Sequence, residues 1–357
     1  MKNTILTFCC ILLQQSLFAE NKDWLIDGSP YKTEVNLSSD KKQIELTNGL
    51  LRRSFSLTPN GATIALDNLM TGQNELRAVR PEAVLVINGK EYPVGGLEGQ
   101  PVHNFLTKDF LSGMQLCDSA FVLAGYTVSE TKERFPWKPN EAWISNRYPW
   151  PAPGKRITFT YRAPRKIVDE CKGLTIRIVY ELYDGAPILS KWIEIENNGQ
   201  KAVTLDSFKS EVLALVETAP KVHYGEPHEV RMMAQKTGYY TEDYRKRPVQ
   251  TDAPRDYIDR FTQLFVVTDY AMGGDMEAMK DNPAVRWVFD HPEYEFTGIR
   301  YYGQYKPARL EVTPLLGPAE EIAPGESFTS APAVPSKCSA MRQTRKDEDL
   351  PSVDSGA

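Results

Sequence analysis

The sequence predicts an all-β protein, a large antiparallel sandwich with few short helices. Three observations carry that expectation. Several stretches alternate apolar and polar residues with period two, the spacing of a strand with one buried face. Tight-turn dipeptides separate those stretches about every ten residues, as in antiparallel meanders. The composition, with 17 Tyr, 14 Phe and 6 Trp beside 25 Pro and 23 Gly, favours strands and turns over helices.

The elements follow in order. Lys42 to Leu57 reads as two strands around Asn48-Gly49, a strong hairpin signal. Pro59-Asn60-Gly61 turns the chain into Ala62 to Leu66, and Ala83 to Ile87 runs into the turn Asn88-Gly89. Ile157 to Tyr161 and Leu174 to Tyr183 alternate cleanly. Asp184-Gly185 then turns into Ile188 to Ile195, and Asn197-Asn198-Gly199 into one long strand from Val203 to Leu215. Residues 219–260, polar and rich in Tyr, Arg, Asp and Pro, read as long loops, with a short helix at Asp275 to Lys280. Leu310 to Leu316 reads as a late strand, and Ile322 to Phe328 as a hairpin closed by Pro324-Gly325. Residues 331–357 hold almost no large apolar side chains and read as a disordered tail. The expected division is 1–19 signal peptide, 20–39 N-terminal extension, 40–330 sandwich and 331–357 tail.

The chain has 357 residues, 41% hydrophobic and 25% charged, with a net charge of −5. The acidic balance argues against a nucleic-acid binder or a polybasic membrane-surface protein. At the front, Lys2, the apolar run Ile5 to Leu13 and the small Ala19 form a secretory pattern. That run is shorter than the roughly 20 residues a spanning helix needs. Export to a secreted or periplasmic location follows as the expectation. There, Cys117 and Cys171 are the candidate pair for one disulfide. No Cys or His spacing suits structural zinc, and neither a metal nor a cofactor is expected.

Candidate ligand chemistry concentrates in residues 134–150 (RFPWKPNEAWISNRYPW). Trp137, Trp143 and Trp150, with Tyr148 and Arg147, suit carbohydrate: sugar rings present apolar C–H faces that stack on indoles while polar groups meet the hydroxyls. Packing beneath a long loop or against a further domain is the competing reading and the more common fate of such a cluster. His223 and His228 beside Glu226 and Glu229 offer acid–base or metal-ligand types, but Pro227 intervenes, the stretch reads as a loop, and surface or interdomain hydrogen bonding is the better explanation. His103 and His291 are isolated and are assigned no role. Asp184, Asp206, Asp269 and Asp290 lie near strand ends, and Asp184 is better explained as a turn residue. Adjacent Arg52 and Arg53 must face opposite sides of their strand, so one is expected in a buried ion pair. The Gly-rich 95–100 stretch lacks the Lys and the helix of a phosphate loop.

The blocks ELTNGLLRRSFSLTPNGATIALDNLMTG, RAVRPEAVLVINGKEYPVGGLEGQP, YELYDGAPILSKWIEIENNG and LGPAEEIAPGESF resemble the N-terminal region of secreted bacterial α-galactosidase-like (melibiase-like, family 36-type) glycoside hydrolases. The resemblance spans about residues 40–330. It implies a β-supersandwich of the galactose-mutarotase-like kind, followed in such enzymes by a catalytic barrel carrying an Asp nucleophile and an Asp acid/base. No position here matches those catalytic motifs, so no catalytic residue is assigned. A (β/α)₈ barrel needs roughly 250 residues; the tail cannot supply it, and truncation or a shifted frame is one expectation. The implied role is a non-catalytic, carbohydrate-associated domain whose partners are galactoside-type or other glycans, a catalytic barrel or a homo-oligomer. A free-standing carbohydrate-binding module and an aldose 1-epimerase-like enzyme are the alternatives.

Overall fold

A computed structural model describes residues 23–101, 105–137, 149–163, 171–215, 234–237, 263–268, 285–288, 309–314 and 317–338. Within them the chain is nearly all strand, as expected. One short helix, α1 (Lys108–Gly113), is capped by Thr107, whose hydroxyl accepts from Phe110 N–H. Sequence patterning missed it, because six residues hold less than two helical turns of periodicity.

Four sheets form. The first orders β1 (Glu34–Leu37), β2 (Gln43–Thr47), β3 (Leu51–Ser56), β4 (Ala62–Asn68) and β5 (Gln73–Asn74) as consecutive neighbours. The largest holds the long meander β9 (Val122–Glu130), β10 (Gly154–Arg162), β11 (Leu174–Tyr183) and β12 (Leu189–Asn197). It is extended by β20 (Ser327–Thr329), β21 (Ala333–Cys338), β16 (Gln263–Thr268) and β15 (Ala234–Thr237). The two smaller sheets run β19 (Glu320–Ile322), β13 (Val203–Lys209), β7 (Ala83–Ile87), β8 (Lys90–Val94), and β17 (Val285–Val288), β18 (Arg309–Val312), β14 (Glu211–Leu215), β6 (Leu76–Ala78).

One apolar core joins all four. Period-two alternation sends Ile157 and Phe159 of β10, Ile176, Ile178 and Leu182 of β11, and Ile193 of β12 to the same face, where each is fully buried. Burying one such side chain is worth about 1.5–3 kcal/mol. Phe55 of β3 reaches across to the large sheet, its ring 4.8 Å from Phe159 and 4.9 Å from Tyr180. At Asn48-Gly49 the Asn48 side chain accepts from Leu50 and Leu51 N–H and donates to Tyr183 and Ala186 carbonyls, and Gly49 adopts φ +81. That turn therefore pins the first sheet to the β11–β12 turn.

The structure corrects the sequence reading at five places. The single strand expected over Val203 to Leu215 is two, because Ser210 bonds Val312 and hands the chain from one sheet to another. The arms of the expected hairpin at Pro324-Gly325 pair with different strands, β19 with β13 and β20 with β12. The 219–260 stretch contains a strand, β15, paired in parallel with β16. The 331–357 tail begins with β21, which pairs with β16 and meets Lys191 of β12, so the sheet outlasts the expected boundary at 330. The 20–39 extension contributes β1, paired with β2 over Glu34 to Leu37. β15 and β21 are short and weakly alternating, so their strand state depends on their sheet partners. The signal peptide 1–19 and the Asp275–Lys280 helix lie outside the described residues.

Candidate functional site

Two arrangements bear on function, on opposite faces of the large sheet. The outer one is the aromatic loop. Its ends are tied where Thr131 N–H and Oγ1 donate to the Gly154 and Ala152 carbonyls at 3.3 and 2.6 Å. Between them Trp150 packs at a tilt against Phe135 (5.0 Å between rings, 45° between planes) and Trp137 (5.4 Å, 57°), and its indole N–H donates to the Phe135 carbonyl. Phe135 is 47% exposed and Trp150 37%, so the cluster offers an aromatic face to solvent. Beneath the same loop, Trp192 of β12 is nearly buried, with the guanidinium of Arg134 at 5.0 Å and that of Arg156 at 5.1 Å from its ring. Arg156 pairs with Glu181, which also accepts from Tyr183, whose hydroxyl is pushed up to about 12, chiefly by burial. The structure thus brings together Trp137 and Trp150 of the sequence candidates. Trp143, Arg147 and Tyr148 lie outside the described residues.

The inner arrangement is a sealed ionic cluster. Arg53 of β3 binds Glu211 of β14 through two bonds, Nη1 to Oε2 at 2.7 Å and Nη2 to Oε1 at 3.1 Å, while its Nε donates to Thr63. Lys191 of β12 donates to Glu211 at 2.6 Å and to the Glu82 carbonyl at 2.5 Å. The Glu82 carboxylate accepts from the Tyr180 hydroxyl and the Thr63 N–H, and lies 3.5 Å from Arg53. Tyr180 lays its ring under both cations, 4.6 Å from the Arg53 guanidinium and 5.2 Å from Lys191 Nζ. All four charged side chains are 1% exposed or less. Two cations and two anions cancel, which is what permits charge at such depth.

The electrostatics follow from that geometry. Burial alone would raise the Glu211 carboxyl, but Arg53 and Lys191 hold it down to about 2. Burial lowers Lys191, with Glu211 and Glu82 opposing, and raises the Tyr180 hydroxyl well above its ordinary range. The expectation that one of the paired arginines is buried and ion-paired holds for Arg53; Arg52, on the other face, meets Asp67 at 2.7 Å. Sequence reasoning missed Glu82, Lys191 and Glu211. Lys191 left a signal, being charged at an inward position of an alternating strand.

The remaining candidates resolve plainly. Asp184 accepts from Thr33 N–H and pairs with Lys32, and Asp206 accepts from Gly89 N–H, so both brace turns. Cys117 and Cys171, the candidate disulfide pair, are not bridged to each other in the structure; Cys171 is buried in the core, and the Cys117 thiol lies 3.2 Å from the Ser119 hydroxyl. The Gly-rich 95–100 stretch lines a cleft of about 300 Å³ with Arg77, Arg80 and Cys117. Gly95 has φ +65, and a Cβ there would fall 2.3 Å from the Gly61 carbonyl oxygen. His103, His223, His228, His291, Glu226, Glu229, Asp269 and Asp290 lie outside the described residues. Among those described, no three His, Cys, Asp or Glu side chains are grouped to hold a metal, and no helix is long and apolar enough to cross a membrane.

No protein-family model matches the chain, and no curated protein matches it. Among solved structures it is similar to the galactosidase domain of an α-galactosidase-sucrose kinase, at TM-score 0.40 and 10% identity over 86% of this chain and 42% of that one. It is also similar to a family 36 α-galactosidase variant from Geobacillus stearothermophilus in complex with stachyose, at TM-score 0.37 and 11% identity over 84% and 41%. A galactose mutarotase-like protein from Clostridium acetobutylicum gives TM-score 0.34 and 11% identity over 87% of this chain and 98% of that one. The chain spans about two fifths of the length of the α-galactosidase chains it matches.

Proposed function

We propose that this chain is the exported β-supersandwich of an α-galactosidase-like glycoside hydrolase, a non-catalytic domain that supports a barrel bearing the catalytic carboxylates. The sealed cluster of Arg53, Glu82, Lys191 and Glu211 carries the reading. It gathers acids and bases at the centre of the sandwich, where a sugar-ring acid/base pair would need substrate access. Yet each charge is spent on another and none reaches solvent. A glycosidase pair needs a carboxylate and a carboxylic acid facing a substrate; this arrangement braces sheets instead. The purified chain is expected to release no p-nitrophenol from p-nitrophenyl α-galactoside and to leave the mutarotation rate of α-galactose unchanged. Either activity overturns the reading. The genomic locus is expected to encode barrel strands in an adjoining frame, and a locus without one favours a free-standing module.

A second reading, a carbohydrate-binding module, is favoured by the aromatic cluster in which Phe135 and Trp150 are exposed and Trp137 is half-buried beside them. Its ligand class is galactoside-type glycan. Quenching or shift of tryptophan fluorescence by such glycans, lost in a Trp137→Ala/Trp150→Ala variant, supports it.

A further inference from the structure

Each sheet ends in two edge strands, the large one also carrying the three-residue β20 beside β12, and among the described residues the chain protects these edges unequally. β1, β5, β6, β8, β15, β17 and β19 are all five residues or shorter. Every one of these except the two-residue β5 carries a charged side chain, and β8 adds Pro93 to Lys90 and Glu91. Shortness, charge and proline are the devices that stop an edge from recruiting a foreign strand. β9 is long, holds no proline and carries charge only at its last residue. It runs nine residues, VLAGYTVSE, and that charge, Glu130, is engaged by Lys155.

Its inner row is also left open. Opposite fully buried Ile157 stands Val128, 45% exposed although it points to the core side. Tyr126, opposite Phe159 with rings 6.3 Å apart, is only half-buried. The start of the strand is tied, Leu123 N–H donating to Asn60, and a bulge sets Ala124 outside the register. From Gly125 to Glu130 the strand is regular, with β10 as its one sheet partner among the described residues.

We propose that the outer edge of β9 pairs antiparallel with β9 of a second copy of this chain, joining two large sheets across a dyad at Thr127. An antiparallel pair puts residues of one face opposite each other. With the dyad at Thr127, Tyr126 faces Val128 on the core side, an aromatic–β-branched pair, and Gly125 faces Ser129. Glu130 then lies opposite Ala124, so no like charges meet. The pairing extends the core over Val128 and Tyr126 and satisfies the edge backbone of both copies. It is independent of the function proposed above.

Light scattering coupled to size exclusion of the full chain tests this. The expected mass is twice that of the chain, or a multiple of it. Thr127→Lys, and separately Ser129→Lys, halve the mass while keeping the wild-type far-UV spectrum. Asn36→Lys on edge strand β1 leaves it unchanged. A monomeric wild type overturns the proposal, as does a folded Thr127→Lys or Ser129→Lys variant of undiminished mass. Equal dissociation by Asn36→Lys overturns it too. Should both lysine variants misfold, hydrogen exchange of the wild type decides. Amides of Gly125 to Glu130 that β10 does not bond are protected in the dimer, and fast exchange there at any concentration overturns the pairing.

Discussion

The guanidinium of Arg53 grips the carboxylate of Glu211 with two parallel bonds across 158 residues of sequence, at 2.7 and 3.1 Å, with no route to solvent. The pair ties the first sheet to the sheet of β14, and Lys191 adds the large sheet to the same carboxylate. Removing one partner leaves the others charged and buried, which costs about 3–5 kcal/mol. Glu211→Gln is therefore expected to lower the urea midpoint strongly. Glu211→Gln/Lys191→Met, which restores neutrality, is expected to lose less than Glu211→Gln alone. A double variant whose loss equals the sum of the two singles shows that the charges are not coupled.

Asn48 supports a second prediction. Its amide makes four bonds from one buried side chain, two within its own turn and two to the β11–β12 turn. Asn48→Ala leaves the Tyr183 and Ala186 carbonyls without that donor, at about 1–3 kcal/mol for each buried group left unsatisfied. The expected outcome is a loss of about 3 kcal/mol in equilibrium unfolding, with faster exchange of amides near Tyr183.

How much of this was readable beforehand depends on how far apart the partners lie. The Asn48-Gly49 turn and the alternation of Leu174 to Tyr183 are local signals, and the corresponding strands form where expected. Arg52 and Arg53 announced a buried charge because neighbours on a strand cannot share a face. Their partners could not be named, since Glu82, Lys191 and Glu211 reach Arg53 only through the pairing of separate sheets. Val203, Leu205, Glu211, Leu213 and Leu215 are buried at alternate positions, so Glu211, like Lys191, left the signal of a charge in an inward register, while the strand it would meet stayed out of reach. The aromatic window was legible as composition, but the contact of Trp137 with Trp150 is set by how its two ends meet.

The thiols give a third prediction. Cys171 is buried in the core while Cys117 is half-exposed beside the cleft. Alkylation follows access to the thiolate. Iodoacetamide on the native chain is expected to modify Cys117 well before Cys171, and both under denaturing conditions without reductant. A Cys117–Cys171 disulfide-linked peptide in a non-reducing digest contradicts this.

The acid limb of stability gives the fourth. Glu211 sits at about 2 in the folded chain against an ordinary value of 4.5, burial opposing and Arg53 and Lys191 prevailing. A carboxyl held below its unfolded value contributes its stability in full above that value and loses it as pH falls towards the folded one. The contribution is thus complete above about pH 4.5 and drains between there and about pH 2. The wild-type urea midpoint is expected to fall steeply across that window. Glu211→Gln, less stable at neutral pH, cannot take up that proton and should show a shallower decline, so the two curves approach each other in acid. Asp184, also held low with Thr33 and Lys32 prevailing over burial, keeps some acid slope in both proteins, so the difference in slope is the quantity to read. Parallel curves from pH 5 to pH 2 mean that Glu211 does not titrate with folding, and that the cluster holds its carboxyl by some balance other than the two cations beside it.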